Sequence, residues 1–118
     1  MSFKEYNLIQ HKTFEFALSI IKFYTFCKSQ NEYILSKQIL RSGTSIGANV
    51  EEAIAAQSKK DFISKLSIAN KEARETKYWL KLYQSSNLVK VEVDSYLKEI
   101  ESIINILTKI IKTSSENL

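Results

Sequence analysis

The sequence predicts an all-α fold, an up-down-up-down antiparallel four-helix bundle formed by residues 1–118 as a single domain. Three observations lead there. The 118 residues include no Pro and only two Gly, so the usual punctuation of strands and tight turns is nearly absent. Apolar residues recur at spacings of three and four along four long stretches. The links between those stretches are short, which makes consecutive helices antiparallel neighbours.

The first helix is expected from about Asn7 to Ser29. It carries two apolar lines, Phe14, Ala17, Leu18, Ile21 and Phe16, Ile20, Phe23, Cys27, where a lone bundle needs one, so a second buried contact is expected. The second spans about Glu32 to Ala56, with Asn31 as its expected N-cap. After a break at Gln57, Ser58 and Asp61 resemble a capping box with Asp replacing the usual Glu. The third helix then reaches about Gln84, its core line being Phe62, Leu66, Ala69, Ala73, Thr76, Leu80 and Tyr83. Ser85, Ser86 and Asn87 supply the next turn. The fourth runs from about Val91 to Thr113, with Val93, Leu97, Ile100, Ile104, Leu107, Ile111 in line and Tyr96, Ile103, Ile110 alongside, again broader than one bundle requires. The tail from Ser114 to Leu118 is expected to fray.

Within the second helix the core-spaced line reads Leu35, Ile39, Ser42, Ile46, Asn49, Ala53, Ala56. A hydroxyl and an amide stand at the centre of a face that should bury, and they need partners or a purpose. One reading is a close helix contact with buried hydrogen bonds. Gly43 and Gly47 would extend this surface toward the small Ala69 and Ala73 of the third helix, offsetting the roughly 1 kcal/mol that each mid-helix Gly costs against Ala. The other reading is a small-molecule pocket at the Asn49 amide.

Composition narrows the function classes. No apolar run approaches the roughly 20 residues of a membrane span, and Met1 to Gln10 lacks the three-part pattern of a signal peptide, so a cytoplasmic protein without membrane contact is expected. One Cys and one His leave too few soft ligands for a zinc site, and no metal or cofactor is expected. His11 reads as a surface residue, Cys27 as a small buried hydrophobe and Trp79 as packing or an interface anchor. Glu72 and Glu75 flank the third helix, yet no second His, no nucleophile paired with a base and no Gly-rich phosphate loop accompanies them. A non-enzymatic role is expected. The two carboxylates are instead expected to form an ion-pair network with Arg41, which shares a flank of the second helix with Ser45, Ala48 and Glu52.

The net charge is +4, and the segment from Ser58 to Ser86 holds seven basic against three acidic residues, while the remaining segments cancel. Lys60, Ser64, Ser67, Lys71, Arg74, Tyr78 and Lys81 follow one helical line opposite the core of the third helix. Such a line is either a solvated face or a track for a phosphate backbone, with Tyr78 placed to stack on a base.

The run from Gln38 to Glu52 (QILRSGTSIGANVEE), the segment SKKDFI from Ser58 and the segment IANKEARETKYWL from Ile68 resemble the bacterial four-helix-bundle family known as 23S ribosomal RNA intervening-sequence proteins. The resemblance covers about Leu8 to Thr113. Arg41, Ser42, Ser45, Asn49 and Glu52 match the family's central motif, and Ala53 stands where the family often has Gly. The resemblance implies a bundle that assembles into a ring, typically a homopentamer. Related accessory proteins of diversity-generating retroelements form similar basic rings that bind nucleic acid and a reverse transcriptase.

The surplus apolar surface fits a ring, and repeated copies of a basic chain concentrate their charge. The leading expectation is an oligomeric module that binds structured RNA or DNA through Lys71, Arg74, Lys77, Tyr78 and Lys81, with Lys59 and Lys60. Arg41, Ser42, Ser45, Asn49, Glu52, Glu72, Glu75 and Trp79 would form its structural or interface motif. The alternative is a scaffold that docks a partner protein such as an enzyme.

Overall fold

A computed structural model describes residues 3–117, with side chains from residue 6; Met1 and Ser2 of the N-terminal stretch and Leu118 of the tail lie outside it. Those residues form four α-helices and no strand: α1 (Phe3–Ser29), α2 (Leu35–Ile54), α3 (Lys59–Ser86) and α4 (Asp94–Glu116). α2 lies between α1 and α3, and α4 touches α3 and α1. The body is 47 Å long and about 20 Å across, slightly longer than α3, whose 28 residues span about 42 Å at 1.5 Å per residue.

Helix ends differ instructively from expectation. Asn31 does not cap α2. It adopts a left-handed conformation (φ 65°) and closes α1, where its N–H reaches the Lys28 carbonyl and the next N–H, of Glu32, reaches Cys27, each at 3.0 Å. This is a Schellman closure with Asn in the place usually held by Gly. The capping of α2 falls to Glu32, whose carboxylate accepts from the N–H groups of Ile34 (2.8 Å), Leu35 (2.9 Å) and Ser36 (3.1 Å). Burial raises the affinity of that carboxyl for its proton, but the three N–H bonds outweigh it and hold Glu32 below the usual carboxylate value. Ser58 does cap α3, accepting from the Asp61 N–H at 3.0 Å. α3 continues through Ser85 and Ser86 to a left-handed Asn87 (φ 55°). α4 begins three residues later than expected and does not fray at Ser114, which is buried; helix continues to Glu116.

The core of α1 is Ile9, Thr13, Phe16, Ile20, Phe23 and Cys27. The second apolar line stays open, with Phe14 62 %, Leu18 43 % and Ile21 46 % exposed. α3 buries Phe62, Leu66, Ala69, Ala73, Thr76, Leu80 and Tyr83, the line read from the sequence. On α4 the buried line passes through Ile103 and Ile110, leaving Leu97 and Ile111 at its margin. No large apolar side chain of α4 is exposed among the described residues, but Tyr96, Leu97, Ile106 and Ile111 are only partly buried, so the surplus there is smaller than on α1. Phe23 sits edge-on between Tyr83 and Tyr96, with centroid distances of 5.3 and 5.1 Å.

Gly43 and Gly47 face α1, not α3. A Cβ on Gly43 would lie 3.0 Å from Ile20 Cγ2, and one on Gly47 would lie 3.4 Å from the Thr13 carbonyl oxygen. Gly43 therefore permits the close approach of α1 and α2, whereas at Gly47 a Cβ would meet Thr13 at ordinary van der Waals distance. The α2–α3 contact uses hydroxyls instead: Ser42 and Thr76, both fully buried, are 2.8 Å apart. Asn49 is half-buried and its amide donates to the Ser45 carbonyl of its own helix at 2.9 Å, so the buried hydrogen bond between α2 and α3 is made by Ser42 and Thr76.

Candidate nucleic-acid interface

Two clusters emerge on α3, one on its α2 flank and one on its outward face. On the flank, Arg41 reaches across to both carboxylates. Its Nη1 is 3.4 Å from Glu72 and its Nη2 is paired with Glu75, while Nε donates to Gln38 at 3.3 Å. Glu75 also accepts from the indole N–H of Trp79 at 2.9 Å. Ser45 donates to the Arg41 carbonyl (2.7 Å), and Glu52 lies 4.0 Å from Lys65. The sequence expectation of an Arg41–carboxylate network thus has a geometric counterpart. However, the Arg41 side chain is 51 % exposed, so the cost of breaking the network belongs to the surface class and not to the several kcal/mol expected of a buried pair.

The outward face brings together Lys60, Ser64, Lys71, Arg74, Tyr78 and Lys81, all exposed, with Ser67 half-buried among them. Among the described residues, no acidic side chain pairs with Lys60, Lys71, Arg74 or Lys81. Two further expected cations are engaged elsewhere: Lys59 donates to the Asn117 carbonyl (3.0 Å), and Lys77 lies 2.6 Å from Glu101 on α4. The Lys77 ammonium holds the Glu101 carboxyl below its usual range, and Arg74 and Lys81 add to that pull. One carboxylate is therefore set against a locally positive surface. A groove beside it runs between α3 and α4, lined by Lys77, Lys81, Leu97 and Lys98 together with the carboxylates of Asp94 and Glu101.

Tyr78 is 60 % exposed, and Leu82, one turn further on, is 38 % exposed. Leu82 was not singled out from the sequence; its spacing of four from Tyr78 was the available signal. Trp79 is half-buried behind Tyr78, the two rings meeting edge to face at 5.4 Å. His11 is exposed and Cys27 is fully buried. Among the described residues no group of three His, Cys, Asp or Glu side chains comes together, and no helix is long and apolar enough to cross a membrane.

Comparison with known proteins gives a consistent relationship. The family described as 23S rRNA-intervening sequence protein matches residues 5–109. A crystal structure from Bacteroides thetaiotaomicron, described as a protein of unknown function from the S23 ribosomal protein family, superposes with a TM-score of 0.87. It is 47 % identical, over 92 % of this chain and 98 % of that one. No curated protein matches the sequence.

Proposed function

The chain belongs to the 23S rRNA-intervening sequence protein family, and from that premise we propose that it is a non-enzymatic helical module that binds RNA or DNA through the outward face of α3. The observation that carries this reading is the set of four exposed cations, Lys60, Lys71, Arg74 and Lys81, without acidic partners among the described residues. Such cations would neutralise backbone phosphates and release their counterions, giving affinity with little base preference. The family's link to ribosomal RNA insertions supports a nucleic-acid partner.

The reading includes an up-down-up-down antiparallel order of helices, supported by end-to-end pairings such as Gln10 with Glu51 (2.8 Å) and Gln84 with Asp94 (2.9 Å). It also includes self-assembly into a ring, a pentamer by family resemblance. Phe14, Leu18 and Ile21 supply the apolar surface for such a contact beside a groove of about 170 Å³ floored by Ala17, Gly47 and Ala48. The same stripe favours a second reading, a scaffold that docks a partner protein.

The deciding experiment is fluorescence anisotropy of nuclease-treated protein with RNA and with duplex DNA across a salt series, repeated with Arg74→Glu/Lys81→Glu. Binding that weakens steeply with salt and is lost in the double variant supports the nucleic-acid module. Absence of binding at low salt overturns it, and a protein partner that co-purifies through nuclease and high salt supports the scaffold. Light scattering gives the mass of the assembly.

A further inference from the structure

The outward face of α3 contains an element that phosphate contacts do not require. Tyr78 is 60 % exposed and stands between Arg74 and Lys81 on the basic line. The ring rests edge to face on Trp79. Trp79 is fixed by its N–H bond to Glu75, and Glu75 is held by Arg41. Three linked side chains from two helices, Arg41, Glu75 and Trp79, thus hold one exposed aromatic face in place.

Its neighbours are arranged by the helix period. Arg74 stands about 6 Å before Tyr78 along the axis and Lys81 about 4.5 Å after it, at 1.5 Å per residue, with Leu82 widening the apolar surface on the other flank of the ring. A duplex offers only its phosphates to such a face, because its base faces are stacked inside. A single strand offers a phosphate to each flanking cation and an unstacked base to the ring between them.

Resting on the nucleic-acid reading above, the geometry points to single-stranded nucleic acid, or an unpaired loop, as the ligand class of this face. One base stacks on Tyr78, and the adjoining phosphates lie on Arg74 and Lys81. A ring flanked by cations and backed by a second aromatic is sequence-tolerant, since every base has a π face.

The test uses the intact protein with fluorescein-labelled oligouridine, the corresponding DNA oligothymidine and a blunt duplex, by anisotropy at low salt. Tyr78→Phe and Tyr78→Leu are compared with Arg74→Glu/Lys81→Glu, each checked by circular dichroism and light scattering. The expected result is tighter binding of the single strands than of the duplex, near-normal binding by Tyr78→Phe, and a loss of about tenfold in Tyr78→Leu for single strands only. Quenching of Trp79 emission on binding would accompany it, because the base closes over the adjacent ring. Equal binding of duplex and single strand, unaffected by Tyr78→Leu but abolished by the charge reversal, overturns the stacking inference and leaves the basic-face reading standing. No binding of any probe by the unaltered protein overturns both. A change in assembly mass in Tyr78→Leu also overturns the inference, by assigning the ring to a contact between copies. Comparison of the two single strands then separates RNA from DNA as the source.

Discussion

The hydroxyls of Ser42 and Thr76 lie 2.8 Å apart at the fully buried seam between α2 and α3, and each has a second partner on its own helix. Ser42 also contacts the Gln38 carbonyl (3.0 Å) and Thr76 the Glu72 carbonyl (2.8 Å). Neither oxygen is therefore stranded when the other is removed. Ser42→Ala and Thr76→Val should each cost about 1 kcal/mol, and the double variant should cost clearly less than their sum. A denaturant double-mutant cycle measures this, and strict additivity would show that the interhelix bond contributes nothing.

Gly43 and Gly47 should respond oppositely to Ala. At Gly47 the new Cβ meets Thr13 at ordinary van der Waals distance, so the gain in helix propensity, up to about 1 kcal/mol, should appear as a higher melting temperature. At Gly43 the Cβ is pressed to 3.0 Å against the buried, β-branched Ile20. Overpacking of about 1–3 kcal/mol should cancel or exceed the same gain. Paired thermal melts decide, and a stabilised Gly43→Ala would mean that Ile20 moves freely.

Arg41→Ala should lower stability by about 1 kcal/mol at low salt, a value set by its exposure, and by less at high salt. Glu75→Gln should remove the ion pair yet keep an acceptor for the Trp79 N–H. The emission of Trp79 should therefore change in Glu75→Ala and not in Glu75→Gln. A shift of equal size in both would place the origin of Trp79 ordering elsewhere.

Glu32→Ala should cost about 1 kcal/mol through loss of the α2 cap. Because the native carboxyl is held below its usual value, the cap contributes fully above the ordinary carboxylate range. That contribution fades as pH falls through this range toward the lowered native value. The stability gap between native protein and Glu32→Ala should thus narrow on acidification. A gap that widens would reverse the assigned direction.

The helices and the α3 core were legible because period and burial agree there, from Phe62 through Tyr83. Ends were less so. Asn31 carries the same short polar side chain whether it starts one helix or closes another, and only the left-handed backbone distinguishes these. The glycines were assigned to the wrong neighbour because one residue of rotation, about 100°, separates the α1 and α3 sides of α2. The basic line was legible as a line. Which of the expected cations are free was not, since Lys59 finds its partner at Asn117 just past α4 and Lys77 finds Glu101 on α4, both far away in sequence. The Arg41 contact with the carboxylates was legible from their flanking positions; its extension from Glu75 through the Trp79 N–H to the Tyr78 ring was not, because it depends on side-chain rotamers that spacing does not encode.

Cys27 is the chain's one thiol, it is fully enclosed, and burial foremost raises its pKa, with the neighbouring Glu32 carboxylate adding to the rise. It is the thiolate that attacks an alkylating reagent, so this sulfur is shielded by both access and protonation until the helices around it part. The molecule accordingly carries an internal clock of its own opening. The rate at which Cys27 is modified under native conditions would time separation of the end of α1 from its neighbours, and any ligand or second copy that steadies that end would slow it.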